Sequence, residues 1–600
     1  MKLLIWSIER LRNKLHGHAI FIIPVAAACI LGLPSIFSGL CLDDYFTRAV
    51  VVQSDSLPDF LHRSPLDGFS FTKRNDPGAM RAGIEYGVWP WWTSPEYKIC
   101  FCRPLPSLIH WLEYTLIKDA YWALHLHSII WYALLVLGAA WAYRRFLSPP
   151  WIAGMAALLY ALDSGHALAL AYLNNRYAII SALVSLLILV CYDSWRRNQD
   201  TRAGAASSLL YCIGLLTGES TVAICAYLFS YAVFMEKGSV WKKFTPLVPF
   251  AAITVIWRVI YVAYSFSAAG TSYYVDPLHD TASFVAAFPL RISALLLSQF
   301  IGSHAALTNF LQPNFIPLYC AVAFIILLLV YYAVHPLIDS AAIRFFGLGT
   351  VLSTVPFCAA MPDDRLLILP GFGALGIIAA FLAAVGAQDA DPRFTTKLRK
   401  AMAVLFLITH FMLAPMQFQT NSFIVWLLQK PIDKMAETIS ASRLTPDTKV
   451  VLLNAPMDVA IAYVPFKIME LGVRPPRMLL LSAGETDVVV ERTHDRTLRL
   501  HLGEGLCKTV FDRIFRSNPT TIKVGDTFDL PDVSVRVAGR TSDGRPADLI
   551  YVFKQPLEKG AMKWFYWTTQ GLRPFTVPAV GAAVTIPKLP HFIRMMLMPS

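Results

Sequence analysis

Charge is scarce in this sequence: Asp, Glu, Lys and Arg make up 15% of its 600 residues, against about 25% in a soluble globular chain. That shortage excludes an ordinary soluble enzyme. Internal repeats and low-complexity tracts are lacking as well, which excludes a solenoid and a disordered scaffold. The ten cysteines show no zinc-type spacing. A cleavable leader is also missing. The first apolar run follows a basic start (Lys2, Arg10, Arg12, Lys14) and contains the small residues Ala26–Ala28, but it is longer than a signal-peptide core and shows no clear A-x-A site with a mature start after it. It reads as an uncleaved anchor. Cys41 after the large Leu40 is a poor lipidation site.

Apolar runs dominate what is present; hydrophobic residues are 56% of the chain. They lie at His18–Leu40, Tyr121–Tyr143, Trp151–Leu162, Tyr177–Cys191, Ala205–Leu216, Val222–Phe234, Phe244–Tyr264, Phe315–Val334, Phe345–Ala360, Leu366–Val385 and Met402–Met416. A membrane-crossing helix needs about 20 apolar residues, and the shorter runs extend into their flanks or tilt. The pattern predicts an α-helical polytopic membrane protein with about eleven transmembrane helices. The net charge of +12 does not call for nucleic acid, because the basic residues sit in alternate short loops. These hold Arg144 and Arg145; Arg196, Arg197 and Arg202; Lys237, Lys242 and Lys243; Arg344; and Arg393, Lys397, Arg399 and Lys400. By the positive-inside rule these loops and the N-terminus are cytoplasmic. The other loops, and all that follows residue 417, are then extracytoplasmic.

Three parts follow: a membrane domain over 1–417, with long outer excursions at 41–119 and 265–314; a helical connector over 418–447; and a β-rich extracytoplasmic domain over 448–600. Short strand-like runs mark the last part, at Val450–Leu453, Met478–Leu481, Val488–Glu491, Leu498–Leu502, Val533–Val537 and Leu549–Phe553, with a hairpin turn at His494-Asp495. Most cysteines lie inside apolar runs as small core residues. Cys41, Cys100 and Cys102 fall at the outer face, where oxidation to a disulfide is chemically allowed.

The chemistry-bearing residues cluster at the outer mouths of the hairpins. Asp43-Asp44 follow the first membrane segment; paired carboxylates there serve as a general base or bind a hard divalent cation, the plainer role being a helix cap. Arg103, in Phe101-Cys102-Arg103-Pro104-Leu105-Pro106, suits a phosphate contact or snorkels to headgroups. His125 and His127 are two apart and do not share a helix face, which argues against a joint metal site. Asp163, His166 and Arg176 bracket one short turn, as a functional trio or a hairpin lock. Glu219, Tyr273, Asp276, Asp363, Asp364 and Arg365 continue the series. Apart from Arg258, mid-helix positions are mostly apolar. That distribution disfavours a transporter or flippase, which needs polar residues at mid-membrane; a non-catalytic polysaccharide-assembly subunit is the further alternative.

These residues, in this order, resemble the GT-C membrane glycosyltransferases, particularly the branch of protein O-mannosyltransferases and tetratricopeptide-containing transmembrane O-mannosyltransferases. Asp43-Asp44 match the acidic pair of the first outer loop, and Arg103-Pro104-Leu105 an Arg-Pro-Leu before the second membrane helix. His166 and Arg176 match a His and an Arg ten residues apart, Gly218-Glu219 a Gly-Glu turn, and Arg365-Leu366 a late Arg-Leu before a Pro/Gly-bearing helix. The resemblance covers roughly residues 40–380. Two departures are Leu168, where the family often has an acid, and the absence of tetratricopeptide repeats. The resemblance implies inverting transfer of a sugar from a polyprenyl-phosphate-linked donor to a protein, lipid or glycan acceptor. Asp43 or Asp44 would be the base and Arg103, Arg176 and Arg365 the phosphate contacts. Asp163, His166, Glu219, Tyr273, Asp276, Asp363 and Asp364 would line the cavity. Some members use a divalent cation and others do not, so none is assigned. The expected setting is a bacterial inner membrane, with the C-terminal domain in the periplasm.

Overall fold

The computed structural model describes residues 9–53, 57–387, 391–484, 486–509, 512–559 and 561–590; Lys2 of the basic start lies outside them. The chain forms two compact units, one of Met1–Leu40, Phe101–Tyr264 and Asp276–Val425, the other of Cys41–Cys100, Ser265–Val275 and Trp426–Ser600.

The first unit is a helical bundle, and each of the eleven apolar runs is helical over most of its length. A chain in lipid must satisfy its own backbone groups, and a helix does so within one segment. Among the described residues, eight helices are long and apolar enough to cross a membrane, or nine if the bent pair Pro150–Leu162 and Ser164–Ala171 is one span. Glu219–Phe234 and Ala341–Phe357 are shorter apolar helices. The helix Ile368–Val385 is buried along nearly its whole length. Its Pro370-Gly371-Phe372-Gly373 stretch has a packing reason. Tyr227 donates to the carbonyls of Leu369 (3.2 Å) and Pro370 (3.1 Å) and accepts from Gly373 N (2.9 Å). A Cβ on Gly373 would stand 2.4 Å from Thr350 Oγ1, so only glycine lets the helices approach this closely.

One of the eight helices, Thr281–Ile301, falls within the excursion 265–314. Phe284, Phe288 and Ile292 pack on Tyr319, Cys358, Leu366 and Leu367. Arg291 donates to the Cys358 carbonyl (2.9 Å) and Ser298 to Asp364 (2.7 Å). Cys358 follows the helix Ala341–Phe357, and Asp364 lies just ahead of the helix Ile368–Val385.

The two ends of the bundle differ. At one end the basic loops meet: Asp193 accepts from Arg145 (2.7 Å), Arg197 (2.6 Å) and Tyr231 (3.0 Å). Arg196 pairs with Glu236, and Arg399 donates to the Tyr332 and Ala333 carbonyls. At the other end lie Arg103, Asp163, Arg176, Glu219, Asp364 and Arg365. The bundle's chain ends at residues 40, 101, 264, 276 and 425 are at this second end too. His125 Nε2 reaches the Gly39 carbonyl (2.8 Å), Cys102 N and Tyr261 bond Glu219, Arg258 pairs with Asp276, and Asn421 approaches Ser164.

The second unit is mixed α/β. A six-stranded antiparallel sheet has the order Ala583–Ile586, Val488–His494, Thr497–Leu502, Pro546–Phe553, Val533–Arg540, Thr527–Asp529. A four-stranded sheet runs Gly571–Pro574, Met562–Thr568, Lys449–Leu452, Arg477–Leu480, its last two pairings parallel. Every strand-like run in the sequence lies at least partly in one of these strands, because alternation buries one side of each (Val488, Val490; Leu498, Leu500, Leu502). A short antiparallel ladder, Lys98–Cys100 on Ser267–Ala269, ties the two excursions together. The helix Ala414–Ala441 runs unbroken through the first part of the connector. All ten cysteines are free thiols; Cys100 is held by Thr72.

Candidate active site

In the helical unit, three turns carry the chemistry. The helix Pro104–Leu116 begins at an Arg-Pro step, since proline suits the first turn of a helix. Arg103, just before it, donates to Glu219 Oε2 (2.9 Å), and its guanidinium lies over the rings of Tyr177 (3.6 Å) and Phe101 (4.2 Å). Glu219 also accepts from Cys102 N (3.0 Å) and Tyr261 (3.3 Å). Arg103 and Glu219 thus form one anchored pair.

Arg176, 1% exposed, grips Glu113 through both guanidinium nitrogens, one bond measuring 3.0 Å. His127 and His110 approach the same carboxylate. Burial opposes the charge on Glu113, but Arg176 and the two imidazoles overcome it and hold the carboxyl well below its usual range. Glu113 did not figure among the sequence candidates, although its i,i+3 spacing from His110 on one helix face was a usable signal. His125 and His127 do point apart, the former to Gly39.

The turns at 163–166 and 363–365 stack on each other. A Cβ on Gly165 would fall 2.7 Å from the Asp364 carbonyl oxygen, which explains the glycine. Asp163 caps its own turn through Gly165 N (2.8 Å) and accepts from Gln299 (3.1 Å). His166 is buried against Tyr132 and Tyr160, its Nδ1 3.2 Å from the Tyr132 hydroxyl. Asp364 is ringed by Ser298 Oγ (2.7 Å), Ala305 N (2.8 Å) and His304 Nδ1 (2.7 Å). The hydrogen bond to Asp364 raises the His304 pKa, with burial opposing. Burial likewise pushes the Asp363 carboxyl up, against the pull of Arg365.

Arg365 stands apart from the other two arginines. Its side chain is 28% exposed. It donates to Asn175 Oδ1 (2.9 Å) and lies 3.8 Å from Asp363. Beside it opens a narrow apolar crevice of about 20 Å³, lined by Ala178, Ala182, Phe357, Leu366 and Leu369. Asp276, the last acid of this unit's series, is paired to Arg258 (2.7 Å), which accounts for the mid-helix arginine.

In the mixed unit the two aspartates have different settings. Asp43 opens the helix Asp43–Val52, is half-buried and accepts from the Tyr463 hydroxyl (2.5 Å). Asp44 is fully buried and accepts from Cys41 N (3.0 Å), which ties the preceding turn to the first turn of the helix. Tyr273 belongs to this unit; the charge of Asp43 and the phenols of Tyr273 and Tyr274 add to burial in raising the pKa of Tyr97. Among the described residues no group of three His, Cys, Asp or Glu side chains is arranged to hold a metal ion.

No family model matches the chain, and no curated protein matches it. Among solved structures it is similar to ArnT from Cupriavidus metallidurans in the apo state, at 14% identity and TM-score 0.37, over 76% of this chain and 85% of that one. It is also similar to ArnT bound to undecaprenyl phosphate, at 15% identity and TM-score 0.38, over 77% and 86%. A third similarity is to the Archaeoglobus fulgidus oligosaccharyltransferase in complex with Zn and sulfate, at 13% identity and TM-score 0.36, over 77% of this chain and 62% of that one.

Proposed function

We propose that this protein is a membrane glycosyltransferase of the GT-C type that moves a sugar from a polyprenyl-phosphate-linked donor to an acceptor hydroxyl, with inversion. The observation that carries the reading is Arg365: a partly exposed side chain beside a small, mainly apolar crevice, at the end of the bundle opposite the basic loops. An anionic phosphate headgroup needs such a charge-assisted contact. Arg103 and Arg176 support the site from behind by fixing Glu219 and Glu113.

In this reading Asp43 takes the proton of the acceptor hydroxyl. The acceptor oxygen bonds to the anomeric carbon as the bond from that carbon to the phosphate oxygen breaks, and the electron pair leaves on the lipid phosphate. Arg365 stabilises that developing charge. Asp44, buried and bonded to Cys41 N, fixes the entry to the helix that presents Asp43. The protein sits in a bacterial inner membrane, with its basic loops cytoplasmic and its β-sheet domain periplasmic.

Photo-crosslinking with a diazirine-bearing polyprenyl phosphate tests the donor site. We expect label on residues 357–369, reduced roughly tenfold or more by Arg365→Ala, with the variant still folded. Undiminished labelling of Arg365→Ala would remove the donor assignment.

A further inference from the structure

The C-terminal part of the chain, from residue 426, supplies a side chain to the carboxylate proposed as the base. Tyr463 immediately precedes the helix Val464–Glu470, whose first turn is set by Pro465. That helix packs on Asp43–Val52 at three points. Phe466 meets Phe46 edge-on (5.3 Å), the Lys467 ammonium lies over the Tyr45 ring (5.1 Å), and Asp433 bridges Lys467 (3.3 Å) to the Tyr45 hydroxyl (3.4 Å). Three contacts of different chemistry leave the Tyr463 backbone little freedom, and its hydroxyl arrives 2.5 Å from Asp43 Oδ1. The same few residues bring further phenols into the neighbourhood: Tyr97 feels the charges of Asp43, Tyr273 and Tyr274, and Tyr463 those of Asp43, Tyr97 and Tyr273. Cys41 and Asp44 face Asp43 from its own segment.

We infer that Tyr463 is a positioning residue for Asp43: its O–H fixes the rotation of the carboxylate, so the C-terminal domain completes the base rather than only reading the acceptor. This rests on the glycosyltransferase reading above. The phenol is suited to the task because burial and the adjacent carboxylate keep it protonated far above the working pH. A short O–H···O⁻ bond is among the stronger hydrogen bonds, and a donor to a carboxylate makes that carboxylate harder to protonate.

The experiment uses full-length protein in nanodiscs, with a synthetic panel of polyprenyl-phosphate monosaccharides as donors and native membranes as acceptor source. Rate is followed from pH 5 to 9 for wild type, Tyr463→Phe, Asp43→Asn and Tyr45→Phe, the last removing a hydroxyl from the same interface without touching Asp43. We expect Tyr463→Phe to lower kcat at pH 6 about tenfold or more, to leave the donor KM within about twofold, and to move the acid limb of the profile to higher pH. Tyr45→Phe should leave that limb in place. A trifluorotyrosine at 463 keeps the shape with a stronger donor and should move the limb the opposite way. An unshifted limb for both 463 variants, with Asp43→Asn inactive, overturns the inference and leaves the transferase reading standing. Activity retained in Asp43→Asn overturns both.

Discussion

The two ends of the helical bundle use charge differently. At the basic end the ionic groups are closed on one another: Asp193 serves two arginines and a tyrosine, and Arg196 is paired with Glu236. At the opposite end the pairs around Glu113 and Glu219 are just as complete, yet a few residues away Arg365 keeps part of its guanidinium outward. Both ends use arginines to lock helices together, and at both some side chains stay partly exposed, Arg197 at 45% and Arg365 at 28%; Arg365 is the one set beside the crevice of Ala178, Phe357 and Leu369. Counting arginines therefore says little about a ligand. What singles out Arg365 is its place beside the crevice, not a lack of partners, since Asp363 and Asn175 both hold it.

The sharpest way to break this contrast is at the basic end. Asp193→Ala removes a fully buried carboxylate shared by Arg145, Arg197 and the Tyr231 hydroxyl; with the two arginine side chains 24% and 45% exposed, the loss is expected at about 3 kcal/mol, the low end for a buried pair. Thermal unfolding in detergent should show that loss, while donor crosslinking in the surviving folded protein stays at the wild-type level. Glu113→Gln at the other end keeps the shape but removes the charge that Arg176 and the two histidines share. We expect a smaller loss, about 1–3 kcal/mol, with donor labelling lowered less than by Arg365→Ala; equal losses would make Arg176 a direct phosphate contact.

The smallest expected effect is one of pH. The folded-state pKa of His304 is raised by Asp364. The stabilisation from this pair is thus fully present below about pH 6.5, the unfolded imidazole value, and is lost as pH rises through the raised folded value. Hydrogen exchange over residues 298–308, corrected for intrinsic rates, should show weaker protection at pH 8.5 than at pH 6. Protection that is flat with pH would mean the carboxylate is held by Ser298 and Ala305 alone.

Much of the architecture was legible before any coordinates. Apolar runs became helices, and alternating residues such as Val488–Val490 and Leu498–Leu502 became strands. The loops bearing Arg145, Arg196 and Arg399 proved to share one end of the bundle. The helix Thr281–Ile301 escaped because Pro289 and Arg291 interrupt its apolar run, and it still packs as a helix since Arg291 finds the Cys358 carbonyl. Site roles were less legible. Arg103, Arg176 and Arg365 look alike as Arg beside a turn; their difference lies in Glu219, Glu113 and Asn175, residues up to 190 positions away.

The reason is physical. Whether a segment enters lipid, and which way the chain runs through it, depends on transfer free energies that add along the sequence. Those properties the sequence determined by itself: helical spans, the alternation of the basic loops, and the change to strands after the last helix. Which charge is satisfied, which carboxylate stays half-open, and which tyrosine reaches Asp43 depend on pairwise distances between distant segments. A hydrogen bond fades within an ångström of its optimum, so only the tertiary structure could decide them.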